Sequence, residues 1–131
     1  MKILTLILCT LMAMPAFAQS SMSAAEFDAY TQGKTLFYGN GGMEYGAEEY
    51  LPNRRVRWSF LDGECKEGEW FEDEGLICFV YEDNPDPQCW SFVRGPRGLI
   101  AQFENDPTQT ELYEADESGQ EMLCLGPKIG V

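Results

Sequence analysis

RVRWSF, residues 55–60, is the clearest β-strand pattern in the chain. Charged or polar residues alternate there with apolar ones, and successive side chains of a strand point to opposite faces. The alternation predicts an inner face made of Val56, Trp58 and Phe60, with the two arginines and the serine outside. A strand of this kind belongs to a sheet that covers a core on one side.

Similar short runs recur at intervals of about ten residues and are separated by turns rich in Gly, Pro, Asn and Asp. The other predicted strands are residues 34–38, 45–50, 69–72, 76–81, 88–94, 99–104, 110–114 and 121–125. Tight turns favour antiparallel pairing of consecutive strands. A meander that closes on itself leaves no open edge, so we predict a mainly β fold, a small antiparallel barrel, with a two-sheet sandwich as the alternative.

One short helix precedes the strands. Ser23 and Glu26 have the spacing of a capping box, in which each satisfies a backbone amide of the first turn. Phe27 and Tyr30 are three residues apart and share a helix face. Gly33 marks the end. The pattern predicts a helix over about residues 24–31 that caps or plugs one end of the barrel.

The first 18 residues have the pattern of a secretory signal peptide. Lys2 precedes an apolar run over residues 3–14, Pro15 breaks the run, and Ala16-Phe17-Ala18 supplies small residues at the positions that signal peptidase reads. The run is shorter than the ~20 residues that a spanning helix needs. We therefore expect cleavage near Ala18, a single mature domain over residues 19–131, and a periplasmic or secreted bacterial protein.

The charge balance limits the partners. The chain carries 22 acidic and nine basic residues, a net charge of −13. Nucleic acids and anionic membrane surfaces attract Lys and Arg, so we expect neither as a partner. No other long apolar segment follows the predicted signal peptide, so we expect no stable membrane insertion. An acidic surface leaves a basic protein or a small ligand as candidate partners, or serves solubility alone.

Four of the five cysteines lie outside the predicted signal peptide: Cys65, Cys78, Cys89 and Cys124. An even number in a small exported domain indicates two disulfides, and four cysteines allow three pairings. Cys78 and Cys89 flank a turn-rich stretch, so our first choice is a bridge between them, which leaves Cys65 to pair with Cys124.

No catalytic constellation stands out. Histidine, the commonest general base and metal ligand, is absent. Four bridged cysteines would leave no thiol nucleophile, and no serine elbow, phosphate loop or dinucleotide fingerprint occurs. The acidic turn over residues 82–86 lacks the glycine and the terminal glutamate of an EF-hand and is typical of an ordinary turn. We predict no catalytic residue, no metal and no cofactor.

Five residues are candidate contacts for a ligand or partner: Arg55, Arg57, Trp58, Trp70 and Trp90. Guanidinium groups suit carboxylates and phosphates, although arginines on a strand more often pair with acidic residues of neighbouring strands. Aromatic residues in strands are more often core, but some can line the mouth of a barrel as a binding cup.

Several motifs resemble those of a group of short exported, uncharacterised proteobacterial proteins. The shared patterns are Cys65-x-x-Gly68-x-Trp70, Ile77-Cys78-Phe79-x-Tyr81 and Cys89-Trp90-x-Phe92. The resemblance implies a bacterial periplasmic setting and the disulfides, and it implies no activity. The expected size and topology are also similar to those of periplasmic barrel inhibitors of lysozymes and proteases, an analogy of shape alone.

These observations predict a non-catalytic periplasmic binding or interaction domain. The alternatives are an inhibitor-like or small-ligand-binding barrel and, less favoured, a hydrolase that uses two carboxylates in a pocket. The barrel interior distinguishes recognition by the surface from binding of a small ligand. A filled interior favours surface recognition, and a hollow one favours a ligand.

Overall fold

The structure is a computed structural model that describes residues 20–106, 108, 110–115 and 121–124. The predicted signal peptide, residues 1–18, lies outside the described residues. Within these residues, one α-helix, α1 (Ala24–Thr31), and one 3-10 turn (Pro52–Arg54) accompany eight strands. The strands are β1 (Thr35–Asn40), β2 (Met43–Tyr50), β3 (Arg55–Ser59), β4 (Lys66–Asp73), β5 (Leu76–Tyr81), β6 (Asn84–Gly95), β7 (Gly98–Phe103) and β8 (Glu111–Ala115).

The strands form a closed antiparallel barrel in chain order, which confirms the barrel over the sandwich. Every strand pairs with the next one along the chain, and β8 returns to pair with β1. In that closing pair Phe37 lies opposite Ala115, and Gly39 lies opposite Tyr113. Because the meander is closed, each strand of the barrel has a neighbour on both sides.

The helix plugs one end of the barrel, as predicted. Ser23 Oγ accepts a hydrogen bond from the amide of Glu26, and the Glu26 side chain accepts one from the amide of Ser23, which completes the capping box. Phe27 is fully buried. Its ring centroid lies between 4.5 and 6.3 Å from those of four barrel aromatics: Tyr50, Trp70, Phe79 and Phe92.

The strand predicted over residues 55–60 is confirmed as β3, but it ends one residue earlier than predicted. Val56 is fully buried in the core, and Trp58 lies on the same inner face. The strand ends at Ser59, so Phe60 is 50% exposed rather than a core residue. Ser59, which was predicted to lie outside, is buried, and its Oγ accepts a hydrogen bond from the amide of Leu61.

Most other strand ends lie within two residues of the prediction, β4 begins at Lys66 rather than at residue 69, and two predictions differ more. β6 begins at Asn84 rather than at residue 88, so Pro85 and Pro87 lie inside a strand. Proline is tolerated there because β6 pairs with β7 only from Trp90 onward, and the β5–β6 register shifts at this point. The predicted ninth strand is wrong, because its described part, residues 121–124, has no regular secondary structure. Residue 125 lies outside the described residues.

The disulfides are Cys78–Cys89 and Cys65–Cys124, our first choice among the three pairings. Cys78 and Cys89 lie directly opposite each other on β5 and β6. The second bridge spans 59 positions and ties residues 121–124 to the segment before β4. Such bonds are compatible with an oxidising extracellular compartment. Within the described ranges, no helix combines the length and the hydropathy that crossing a membrane requires.

We predict that Phe27→Ala lowers the free energy of unfolding by about 3–5 kcal/mol, because it removes a fully buried ring and leaves a cavity between four aromatics. Ala29→Ser on the exposed side of α1 is the control and should cost about 0.5 kcal/mol from helix propensity. Urea denaturation of both variants measures the difference. Equal losses of unfolding free energy in the two variants would mean that the buried Phe27 ring does not stabilise the barrel.

Candidate functional site

The half of the barrel opposite α1 holds a cavity of about 180 Å³. We call its open end the mouth, the side of the barrel formed by the β1–β2, β3–β4 and β5–β6 turns. Aromatic residues supply most of the wall, and the described residues among them are Tyr38, Tyr45, Tyr50, Trp58, Phe60, Phe79, Tyr81, Trp90 and Phe92. The barrel is therefore filled at the helix end and hollow at the mouth.

Glu48 lies on the wall of this cavity and is 1% exposed. The hydroxyl of Tyr81, on β5 across the barrel, donates a hydrogen bond to its Oε1 at 2.8 Å. Its Oε2 is buried and has no hydrogen-bond partner. A buried carboxyl oxygen without a partner carries a desolvation penalty that protein contacts do not offset.

The strand period places Glu48 inside. Tyr50, two residues later on β2, is anchored by its ring against Phe27 in the plugged end. Residues two apart on a strand share a face, so the side chain of Glu48 is carried into the interior with that of Tyr50. Gly46 comes two residues earlier, and an added Cβ there would overlap the ring of Trp58 from β3. The missing side chain at Gly46 thus makes room for a cavity wall.

A second polar group on the wall is a pair of phenols. The hydroxyls of Tyr38, on β1, and Tyr50 are 2.8 Å apart, and both residues are buried. Within such a pair one hydroxyl donates and the other accepts, so the accepting hydroxyl keeps its own hydrogen for another acceptor. The cavity therefore offers phenol and carboxyl groups deep inside an aromatic wall.

Burial raises the pKa of all four polar wall residues described above, Glu48, Tyr38, Tyr50 and Tyr81. Loss of solvation holds the pKa of Glu48 well above its ordinary value of 4.5, and the hydrogen bond from Tyr81 offsets only part of this rise. Burial also raises the pKa of Tyr38, Tyr50 and Tyr81, and the negative charge on Glu48 adds to the rise of each. The tyrosines thus remain hydroxyls, and Glu48 keeps its proton at pH values that ionise an exposed glutamate.

Aromatic rings and one ion pair surround the mouth. The rings of Tyr45, Trp58 and Phe60 contact one another, with centroids 5.3 to 6.0 Å apart. Lys66 Nζ lies 2.6 Å from Asp83 Oδ2 and 5.4 Å from the centroid of the Phe60 ring. An ammonium group is thus already held there between a carboxylate and an aromatic ring.

The predicted contact residues separate into three places. Trp58 and Trp90 line the cavity. Trp70 is buried against α1, and the guanidinium of Arg54 lies 4.5 Å from its ring centroid. The remaining two candidates, Arg55 and Arg57, lie on the outer face of β3.

The two outer arginines pair with carboxylates on the adjacent strands. Arg57 lies 3.5 Å from Glu49 and 3.3 Å from Glu67, and Arg55 lies 3.9 Å from Glu67. These side chains are about a third or more exposed, so each pair contributes roughly 0–1 kcal/mol. Of the five candidates predicted from sequence, Trp58 and Trp90 are the two that line the cavity.

Glu48 is the residue that the sequence analysis missed. One pattern could have found it: if Tyr50 is assigned to the core, period-two alternation puts Glu48 on the same inner face. Residues 45–50 were predicted as a strand, but no inner face was assigned to it, so Glu48 was not among the candidates.

No group of three or more Cys, Asp or Glu side chains is placed to hold a metal ion among residues 20–106, 108, 110–115 and 121–124. A scan against models of protein families, a search of curated proteins and a search of solved structures each return no match to the chain. The geometry of the cavity is therefore the basis for assigning a function.

We predict that Glu48→Gln becomes increasingly stabilising, relative to the parent protein, as the pH rises above about 4.5. The folded state holds the Glu48 proton more tightly than the unfolded chain, so the parent loses stability as pH rises from the unfolded pKa toward the raised folded pKa. The neutral amide removes this loss. The difference in unfolding free energy between the two proteins should grow by up to about 1.4 kcal/mol per pH unit.

The measurement is urea denaturation of both proteins at several pH values between 4 and 8. Glu44→Gln, an exposed carboxyl of the same strand, is the matched control, and its difference from the parent should vary little because water reaches that side chain in both states. If the difference in unfolding free energy between Glu48→Gln and the parent also varies little with pH, Glu48 is not a buried, protonated carboxyl.

Proposed function

We propose that this protein is a non-catalytic binding protein that holds a small ligand in the open half of its barrel, in the bacterial periplasm or outside the cell. One observation carries the proposal: a cavity with aromatic walls that contains a buried carboxyl oxygen without a partner. Apolar pockets with a few convergent polar groups are the usual form of small-molecule sites.

The energetics of Glu48 support a ligand over a purely structural role. A buried carboxyl that lacks one of its hydrogen bonds lowers stability, and an amide or an apolar side chain of similar volume would avoid that cost. Departures from the most stable choice of residue are expected at functional sites. A ligand that bonds to Oε2 would supply the missing partner.

The volume limits the size of the ligand. An engineered protein cavity of about 150 Å³ binds benzene, so a cavity of about 180 Å³ suits a body the size of one aromatic ring with a short substituent. The mouth adds room outside this volume, because Phe60, Lys66 and Asp83, which line it, are all partly exposed to solvent.

Two features of the chain support this setting. Residues 1–18 have the signal-peptide pattern, and two disulfides join the cysteines of the mature domain. Both are typical of proteins that work in an oxidising compartment outside the cytoplasm. Covalent bracing also suits a barrel whose interior is partly empty, since a hollow half contributes little packing to stability.

The other candidate functions have less support. A paired-carboxylate hydrolase needs two carboxyls that act together, and Asp83, the other carboxyl among the described wall residues, is bound to Lys66. Recognition of a basic protein rests on the net charge of −13 alone. The hollow interior favours a small ligand over both.

The tryptophans give a direct test. We predict that, in a library of single-ring aromatic compounds, those that bind will shift the indole N–H signals of Trp58 and Trp90 in a ¹H–¹⁵N NMR spectrum. The signal of Trp70, which lies outside the cavity wall, should move least. The chain has three tryptophans, so Trp58→Phe and Trp90→Phe assign all three signals.

Ala101→Leu should abolish these shifts, because Ala101 lines the cavity and three added carbons fill part of about 180 Å³. Ala25→Leu makes the same chemical change at an exposed position of α1, at the plugged end, and should leave binding unchanged. If no compound shifts Trp58 or Trp90, or if the shifts survive Ala101→Leu, the proposed binding site is wrong.

A further inference from the structure

We propose that the ligand is a primary amine on a small apolar body, with its ammonium group on Glu48 Oε2 and its body among the aromatic rings between Glu48 and the mouth. This inference rests on the proposed function and adds the chemical class of the ligand. Three features of the cavity support it: the hydrogen bonding of Glu48, the charges on the wall, and the aromatic rings.

In its ionised form Glu48 has one free acceptor oxygen, which suits a donor that needs a single acceptor. Oε1 is occupied by the hydroxyl of Tyr81 at 2.8 Å, and Oε2 is the one buried side-chain oxygen or nitrogen without a partner in the described part of the chain. A guanidinium binds a carboxylate best through both oxygens at once. An ammonium is a compact charge that can bond to one oxygen, so it fits the carboxyl as Tyr81 leaves it.

The charges on the wall favour a cation. Three described wall residues are ionisable at neutral pH: Glu48, Lys66 and Asp83. Lys66 and Asp83 neutralise each other at 2.6 Å, which leaves the carboxyl of Glu48 as the group that a charged ligand would meet. Once ionised, that carboxyl repels an anionic ligand and serves as a counter-ion for a cationic one. The net charge of −13 also draws cations toward the protein.

The aromatic rings of the cavity also favour a cationic ligand. The faces of aromatic rings attract cations within about 6 Å of the centroid, and the attraction is stronger where water is excluded. The mouth already contains one such contact, because Lys66 Nζ lies 5.4 Å from the Phe60 centroid while it pairs with Asp83. We infer that a ligand ammonium on Glu48 would repeat, deeper in the barrel, the arrangement of carboxylate, ammonium and ring seen at the mouth.

Binding of the amine would release a proton. The protonated amine and the protonated carboxyl of Glu48 form an ammonium–carboxylate pair, and the proton of Glu48 passes to water. The O–H bond of the Glu48 carboxyl is the one covalent bond that breaks. The affinity for the amine should therefore rise with pH until Glu48 is ionised in the free protein, because less work is then spent in removing its proton.

The other groups around Glu48 do not reverse this dependence. The titratable side chains that line the cavity with it are Tyr38 from β1, Tyr45 and Tyr50 from β2, Lys66 from β4, Tyr81 from β5 and Asp83 from the turn after β5. Burial raises the pKa of Tyr38, Tyr50 and Tyr81, which stay uncharged below pH 10, and Lys66 and Asp83 form an ion pair with each other. On β3 and β6–β8 the described wall residues, such as Trp58 and Gln88, carry no charge at these pH values.

The experiment compares three probes with nearly the same skeleton: 2-phenylethylamine, 2-phenylethanol and 3-phenylpropionate. Isothermal titration calorimetry of the mature protein gives their affinities between pH 5 and 8, and buffers of different ionisation enthalpy report the proton released. The amine should bind about tenfold or more tightly than the alcohol, the size of a charge-assisted hydrogen bond, and the acid should bind most weakly. The amine affinity should increase with pH.

Glu48→Gln should remove about tenfold or more of the affinity for 2-phenylethylamine and change that for 2-phenylethanol little, while Glu44→Gln changes neither. The probe series on the parent protein tests the same inference without any variant. The amine is the wrong class if the alcohol or the acid binds as tightly as the amine, or if the amine affinity falls as pH rises.

The indole signals separate the two proposals. If 2-phenylethylamine leaves the signals of Trp58 and Trp90 unmoved but other single-ring compounds shift them, the cavity binds ligands and the amine inference fails alone. If none of the single-ring compounds shifts them, the proposed function fails and the amine inference fails with it.

Discussion

The pairing of β8 with β1 is the contact on which the rest of the structure depends. It joins the first strand to the last described one, with Phe37 opposite Ala115, and turns a meander of eight strands into a barrel. An eight-stranded barrel is just wide enough to be filled by side chains or to hold one small ligand. Closure therefore sets the interior size before any particular residue is considered, and it gives every strand one inner and one outer face.

The interior is divided because one element plugs only one end. α1 inserts Phe27 among Tyr50, Trp70, Phe79 and Phe92, so the ring that completes the core is supplied from outside the sheet. No matching helix of the described chain enters from the mouth, and a cavity of about 180 Å³ is left there. The half plugged by α1 is therefore well packed, whereas the half at the mouth is partly empty.

Glu48 lies within this open half, where protein stability and ligand binding favour different side chains. Its strand neighbours carry it inward, its Oε1 accepts a hydrogen bond from Tyr81, and its Oε2 stays without a partner. A side chain chosen for stability alone would not keep a desolvated carboxyl there. The same burial that raises the pKa of Glu48 also makes any charge that meets it count for more, since water does not screen the pair.

Much of the architecture was determined by the sequence alone, because it depends on local rules. The capping box at Ser23 predicted α1, the alternation over residues 55–60 predicted the inner face of β3, and the even cysteine count predicted two disulfides. These features depend on residues close in the chain or on simple pairing. The boundaries that failed, at Phe60, at Pro85 and Pro87, and at residues 121–124, are set by which neighbours a strand finds across the barrel.

The tertiary structure alone decided the site. Tyr38, Glu48, Tyr50 and Tyr81 come from three strands, and nothing in their spacing along the chain shows that they share one cavity. Barrel closure brings them together, and the depth of the Phe27 plug decides which inner-face residues become core and which line empty space. Inward direction is a local property of a strand, whereas the space left beside an inward side chain depends on the whole barrel. That difference explains why Trp58 and Trp90 were among the candidates from sequence while Glu48 emerged only from the structure.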